Sequence, residues 1–383
     1  MVVMIGLANG MISQMINNGT GLVTGQIQIH SPQYLPDRSV YETLGSHPND
    51  VESLLGIIER DPAVIAAAPR VFGGGLVSSG AATFPAILMG IDPAREVEVS
   101  RIAVMKEGRL PLTGSNEIAL GSTLMDWLET NLNDELVLVA PAADGSLGND
   151  LFTVVGIMES GIPEIDGSYV LLPIDVLQSL IALQPMRIHE IVAHIDDPWD
   201  AQLATDRISI ELQRDGYAVD VAAWTSLRPE LREYAQLASG TQWILAVIVF
   251  SMAIFGVANT MIMATFERRR EFALMLALGA APSGIIRSVL SEAFALGLLS
   301  LAAGVVLTFP ILVWWHHFPL DLSAVFGGFE IVGTFVKPVL KTEYPWAMIF
   351  FTAFALLLTV VTAALYPAVR AARLAPADVL TGR

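Results

Sequence analysis

Thr265-Phe266-Glu267-Arg268-Arg269-Arg270-Glu271-Phe272-Ala273-Leu274-Met275-Leu276-Ala277-Leu278-Gly279-Ala280 separates two long apolar runs. Glu267 and Glu271 are four residues apart, which puts them on one face of a helix, and Phe272, Met275, Leu276 and Gly279 recur at helical spacing as an apolar stripe. The spacing predicts a short amphipathic helix. The runs on either side are long enough to cross a bilayer and three arginines stand at the start of the stretch, so this helix is expected on the cytoplasmic membrane surface, as a handle for a cytosolic partner. A basic turn that only sets topology fits the same periodicity.

Working outward, apolar runs over residues 242–265, 285–308 and 346–366 each reach the roughly 20 residues that a bilayer requires. Pro282 suits the first turn of the second run, where its missing N–H is not needed, and Pro310 is expected to close that helix. Arg268, Arg269, Arg270, Arg287, Arg370, Arg373 and Arg383 fall in the short segments assigned to the cytoplasm, with only Glu267, Glu271, Glu292 and Asp378 as acids beside them. Basic short loops set orientation, while a long acidic segment translocates regardless of its charge. Trp243, Trp314, Trp315 and Trp346 fall at the expected outer ends of the runs, where an indole keeps one edge wet.

Composition agrees: the 383 residues are 53% hydrophobic and 15% charged, with a mean hydropathy of +0.57, more apolar than a soluble average. The net charge of −17 argues against nucleic acid as a partner, because phosphate binding needs a basic stripe. Cysteine is absent, so a disulfide framework and a thiolate metal site are both excluded.

Between Gly25 and Val221 the pattern changes to short alternating stretches broken by Gly, Pro, Asn and Asp, the signature of a soluble α/β region large enough for its own core. Strands are expected at 26–30, 86–90, 136–139, 152–157, 169–172, 188–195 and 218–221, strand and turn at 64–77, helices at 49–60 and 200–214, and β-structure over 118–128. Residues 1–16 are apolar but interrupted by Asn9 and Gln14, too short and too polar for a full span. Residues 226–240 form a polar helical stalk into the next span, and 316–345 an outer loop rich in Gly and Pro.

Catalytic motifs are sparse. A Walker A loop needs Gly-Lys followed by Ser or Thr, and none of Lys106, Lys337 and Lys341 follows a glycine. Neither a Gly-x-Ser-x-Gly elbow nor a Gly-x-Gly-x-x-Gly fingerprint is present. His189 and His194 superficially suggest a zinc-protease helix, but their spacing of five on an alternating strand puts them on opposite faces, so no metal site is expected. His316 and His317 sit beside tryptophans at the outer interface. Within the spans, Asn259 and Thr260 read as interhelical hydrogen-bonding groups or as simple packing polarity. Glu292 reads as a side chain snorkelling to the cytoplasmic surface or as a group coupling the bundle. Gly256 with Ala253 and Ala258 offers small residues for close helix packing.

The stretch at 267–280 resembles the FtsX/MacB/Lol-type permeases of ABC transporters, whose connection between the second and third membrane helices reads roughly Glu-Arg-x-Arg-Glu-Ile-Gly-x-x-Arg-Ala-Leu-Gly-Ala. Glu267, Arg268, Arg270, Glu271, Ala277, Leu278, Gly279 and Ala280 match. Leu276 departs from it: the resemblance implies Arg there, with a charge contact to the ATPase that leucine cannot make. The end of the chain, from Tyr366-Pro367-Ala368 to Pro376 and Leu380, resembles the family's C-terminal Pro-Ala-x-x-Ala-Ala-x-x-x-Pro-x-x-x-Leu. Ala68-Pro69-Arg70-Val71, Gly90-Ile91-Asp92-Pro93, Glu107-Gly108 and Gly156-Ile157 look like recurring turns of a MacB-like periplasmic core made of two α/β portions flanking a β-rich insert.

The resemblance implies an α-helical membrane domain, with three full spans and the end of a truncated first span, and a large extracytoplasmic α/β domain of MacB type between the first and second spans. The expected divisions are 1–24 (end of the first helix and stalk), 25–225 (core domain), 226–264 (stalk and second span), 265–280 (coupling helix), 281–309 (third span), 310–345 (outer loop) and 346–383 (fourth span and tail). Glu267, Arg268, Arg270, Glu271, Phe272, Met275, Leu278 and Gly279 are implied as ATPase-coupling residues, and Asn259 and Glu292 as polar members of the bundle. The chain would need no cofactor of its own, ATP being bound by a separate cytosolic ATPase. A second permease copy or paralogue would complete a dimer in the bacterial inner membrane. The implied activity is release of a lipoprotein or lipid, with a periplasmic chaperone or adaptor as further partner. The alternatives are MacB-like export of small molecules or peptides and FtsX-like control of a cell-wall hydrolase.

Overall fold

The computed structural model describes residues 2–375 apart from 36–37, 46–49, 323–328, 332–333, 337–338, 343 and 345. The expected C-terminal motif from Pro376 to Leu380 lies outside the described residues, with Asp378 and Arg383, and so do Asn49 and Pro345 at two expected element ends. Helix α1 (Val2–Gly21) leads the described chain. Two compact units follow from the contacts: Ser13–Glu233 with Gly328–Lys337, and Met1–Ile12 with Tyr234–Gly327 and Pro338–Arg383.

The first unit is organised by one mixed sheet. Its strands are β1 (Ile27–His30), β2 (Val64–Ser78), β3 (Thr83–Ile91), β4 (Met105–Gly108), β5 (Glu117–Gly121), β6 (Glu135–Pro141), β7 (Leu147–Met158), β8 (Tyr169–Pro173), β9 (Glu190–Ile195) and β10 (Asp220–Ala223). They hydrogen-bond in the order β10-β1-β9-β2-β3-β8-β5-β7-β4, and β6 pairs with both β2 and β7. The expected β-rich insert is therefore part of the same sheet as the flanking α/β portions. Helices α2 (Asp50–Ile58), α3 (Pro93–Val99), α4 (Ser122–Leu128), α5 (Pro163–Asp166), α6 (Ile174–Leu180), α7 (Ala201–Arg214) and α8 (Trp224–Leu227) complete the unit. Of these, α3 packs on β2 and β9, α6 on β3 and β2, and α7 on β10 and α2.

Several expected elements change character once packed. The strand and turn expected at 64–77 form one unbroken strand of 15 residues. Pro69 and Arg70, expected in a turn, lie inside it, opposite Ile191 and Glu190 of β9. Gly156 and Ile157 likewise lie within β7. Proline and glycine weaken a strand locally, but pairing on both sides holds β2 extended. The stretch 118–128, expected as β-structure, divides at Gly121 into β5 and α4, because Leu124, Met125 and Leu128 bury together only on a helical turn. The alternation expected at 188–195 is absent from the burial: Glu190, Ile191, Val192, Ala193 and Ile195 are all buried, so both faces of β9 are covered.

The second unit contains three long helices that are apolar enough to cross a membrane: α9 (Pro229–Glu267), α11 (Pro282–His317) and α12 (Trp346–Ala372), with the short α10 (Arg269–Ala277) between the first two. At 39, 36 and 27 residues and about 1.5 Å per residue, all three exceed a hydrocarbon core of roughly 30 Å. Pro282 occupies the first turn of α11, as expected. Pro310 does not end this helix, which continues to His317. A proline is tolerated inside a membrane helix because neighbouring groups satisfy the carbonyl it leaves open. The loop expected at 316–345 carries short strands: β11 (Leu320–Asp321) pairs with β14 (Val339–Leu340) in this unit, and β12 (Phe329–Ile331) pairs with β13 (Thr334–Val336) in the segment that belongs to the first unit. Thr342 fastens its end: the hydroxyl donates to the Leu312 carbonyl at 2.8 Å, and its own carbonyl accepts from His316 Nδ1 at 2.8 Å.

Between the long helices of this unit, Gly297 rather than Gly256 packs closely against a neighbour. A Cβ on Gly297 would stand 3.3 Å from Val360 of α12, whereas one on Gly256 would meet open space. Ala293 on α11 and Ala364, Ala368, Ala371 and Ala372 on α12 extend the same small-residue seam.

Candidate coupling site

The site forms where α9 ends. Arg268 leaves the helical conformation (φ −93°, ψ 13°), so Glu267 belongs to α9 and Glu271 to α10. The single helical face expected to carry both carboxylates is therefore broken at Arg268. Two backbone bonds flank the break: Arg268 N donates to Ala264 O and Phe272 N to Arg268 O, each at 3.2 Å.

The same guanidinium draws three residues together. Its Nε donates to Glu271 Oε2 at 3.0 Å and its Nη1 to Glu292 Oε2 at 2.8 Å, and it lies over the Phe272 ring, 5.3 Å from the centroid. Arg268 and Glu271 were both expected at the coupling site and Glu292 in the bundle; the structure joins them. Glu292 sits on α11, 24 residues away, and the sequence carries no spacing rule for a pair on different helices.

α10 is divided by burial. Phe272 (1% exposed) enters the bundle core among Met261, Ile285, Val289 and Ala368, with Leu276 packed partly against it, and Ala273 is buried as well. That contact gives Leu276 an apolar environment. Met275, assigned by spacing to the same stripe as Phe272, is instead exposed with Leu274 and Leu278, the last at 80%. Arg270 and Glu271 are exposed beside them, and Arg269 rests over Phe266, 4.8 Å from the ring centroid.

Gly279 ends the helix. Ala280 N donates to Met275 O at 3.0 Å and Gly279 N to Leu276 O at 3.1 Å, the paired bonds of a Schellman cap, and Gly279 takes the left-handed conformation (φ 90°) that the cap requires. Ala281 and Pro282 then open α11. Asn259 lies away from this cluster, on an exposed part of α9. Its neighbour Thr260 returns its hydroxyl to Gly256 O at 2.9 Å, within its own helix.

The histidines set aside earlier have hydrogen-bonded roles. His189 Nδ1 accepts from Phe72 N at 2.8 Å and its Nε2 meets Val40 O at 3.1 Å, while His194 Nδ1 lies 3.1 Å from Gln26 Oε1.

Long apolar helices, a short surface-divided helix between two of them and a sheet domain preceding them define an integral membrane protein of permease type. Residues 1–210 match the MacB-like periplasmic core domain family and residues 243–376 the FtsX-like permease C-terminal family. The chain belongs to this family and is an ABC transporter permease. It is 26% identical over 350 residues to the lipoprotein-releasing system transmembrane protein LolC of Xylella fastidiosa strain Temecula1, covering 88% of this chain and 82% of that one. Over 332 residues it is 25% identical to LolE of Haemophilus influenzae, covering 85% and 79% respectively. The crystal structure of the periplasmic region of MacB from Actinobacillus actinomycetemcomitans aligns with 57% of this chain and 98% of its own, at a TM-score of 0.40 and 16% identity.

Proposed function

We propose that this permease couples ATP hydrolysis by a separate cytosolic ATPase to movement of its sheet domain on the far side of a bacterial inner membrane, and that the movement releases a lipoprotein or lipid. The observation that carries this reading is the divided surface of α10. Phe272 anchors it in the bundle, while Leu274, Met275, Leu278, Arg270 and Glu271 stay exposed on a helix too short to be a membrane element. An apolar cluster with charges beside it suits a protein docking surface. In this reading the ATPase seats on that face, Arg268 ties its displacement to Glu292 on α11, and α9, unbroken from Pro229 to Glu267, carries it about 60 Å. The lipoprotein cargo is inferred from relatives that are named lipoprotein-releasing system proteins.

A second permease copy or paralogue fits the exposed part of α9. An asparagine facing hydrocarbon is costly, and Asn259 on this face would gain a partner across a helix–helix contact.

The test is reconstitution of the chain with a cytosolic ABC ATPase, in proteoliposomes carrying an acylated lipoprotein. ATP-dependent release that Leu278→Glu abolishes without loss of inserted protein is the expected result. ATP turnover and release both unaffected by charges on this face would overturn the reading, and activation of a cell-wall hydrolase without release would redirect it to signalling.

A further inference from the structure

A polar ladder crosses the buried sheet of the first unit. His30 of β1, Glu190 of β9 and Arg70 of β2 are direct cross-strand partners, which places their side chains on one face. All three are at most 1% exposed. Glu96 of α3, fully buried, takes the guanidinium fork: both its oxygens lie 3.2 Å from Arg70 Nε, and Oε1 also accepts from Nη2. The remaining nitrogen, Nη1, donates to the carbonyl of Val23, two residues beyond the end of α1, and has Glu190 Oε1 3.6 Å away.

One guanidinium thus meets two buried carboxylates. Arg70 and Glu96 balance as a pair, and an ionised Glu190 would add an uncompensated charge in a low-dielectric interior, which proteins relieve by protonation. Of the other groups around Glu190, Arg38 and His30 favour its charged form, but neither is bonded to Oε2. Tyr34 lies 5.8 Å from the His30 ring and stacks on His189 at 5.9 Å, Tyr169 comes from β8, and Arg38 is exposed to solvent.

Hydrogen-bond chemistry points the same way. Among the described residues, Glu190 Oε2, His30 Nε2 and the Tyr34 hydroxyl are buried with no partner. His30 Nδ1 is 2.9 Å from the Ser31 carbonyl oxygen and must donate to it, so in the tautomer with its single proton on Nδ1 the Nε2 is an acceptor. A carboxylate anion can only accept and has nothing to offer an acceptor nitrogen; a carboxylic acid adds a donor for it beside the Tyr34 hydroxyl, the other unpartnered donor of the cluster. Burial pushes the Glu190 carboxyl above the usual carboxylate range, against the opposing pull of Arg70.

We propose that Glu190 is a buried proton-binding site, neutral at neutral pH with its proton on Oε2 toward the His30 acceptor, and that loss of this proton draws Arg70 away from the Val23 carbonyl. The step is a simple dissociation: the carboxylic acid O–H breaks, the proton passes to solvent and the carboxylate keeps the electron pair. Because Val23 follows α1, the proton governs how firmly the end of that helix is tied to the sheet. The sign follows from the raised carboxyl: the stability it contributes is full below the unfolded carboxylate value and is lost as pH rises through the folded one. The inference does not rest on the transport reading, and neither readout below involves transport.

The experiment uses the full chain in nanodiscs with the glutamate carboxyl groups labelled with carbon-13. Infrared spectra at neutral pH should show the isotope-shifted C=O stretch of a protonated carboxylic acid in the native chain and lose it in Glu190→Gln. Hydrogen exchange at residues 22–25, corrected for intrinsic chemistry, should lose protection on going alkaline in the native chain and stay level in Glu190→Gln. Glutamine copies the neutral acid, so this variant should unfold no more readily than the native chain at neutral pH. Absence of the labelled acid band from the native chain overturns the proposal before any substitution is made. A Glu190→Gln chain that retains the band, or that is less stable at neutral pH, overturns it equally.

Discussion

Arg268 Nη1 donates to Glu292 Oε2 at 2.8 Å, joining the residue at which α9 stops being helical to a residue about three turns into the next membrane helix. Both side chains are over two-fifths exposed, so the bond contributes little to folding, about 0–1 kcal/mol. Its consequence is mechanical, because any partner that moves α10 also moves a charge held by α11.

Glu292→Gln should therefore leave thermal stability within about 1 kcal/mol of the native chain while lowering coupled ATP turnover severalfold. Arg268→Met should behave alike, and the double variant should lose little more than either single one, the signature of a shared contact. Additive losses in turnover would show that the two residues act separately.

The two faces of α10 should fail differently. Phe272→Ala empties a buried site and is expected to cost about 3–5 kcal/mol, seen as a lower denaturation midpoint. Leu278→Glu, at an exposed position, should leave the midpoint unchanged and abolish copurification of the ATPase.

Gly279→Ala tests the cap alone. Its φ of 90° is unfavourable for alanine, yet a Cβ there meets open space, so strain of about 1 kcal/mol is the whole expected effect. Gly297→Ala should act through packing instead, since Val360 stands 3.3 Å from the new atom. Equilibrium unfolding of the two variants in the same detergent distinguishes them.

Acid should loosen the first unit at a defined bridge. Arg109 donates to both oxygens of Glu117 at 2.7 and 2.6 Å, and this bonding holds the Glu117 carboxyl down to about 2. A depressed carboxyl stabilises the fold above its unfolded value and loses that contribution as pH falls through the folded one. Denaturation midpoints of the native chain should fall between about pH 4.5 and about 2, and Glu117→Gln should flatten part of that slope.

The sequence by itself determined the class of the protein and the place of the short helix between two of its spans. Composition, three apolar runs and the basic segment at 268–270 act through the solvent each residue prefers, and that preference is local. Strand positions were legible for the same reason, as at β1 and β6. Tertiary structure alone decided which of these elements meet. Pro69 and Arg70 read as a turn because their local signals favour one, and only pairing with β3 and β9 draws them into a buried strand. The stripe through Phe272 and Met275 could be found by periodicity, but which of its members is buried depends on where α11 and α12 stand. The joining of Arg268 to Glu292 and of Arg70 to Glu96 and Glu190 had no counterpart in spacing, since a charge selects its partner by distance in space after the chain has folded.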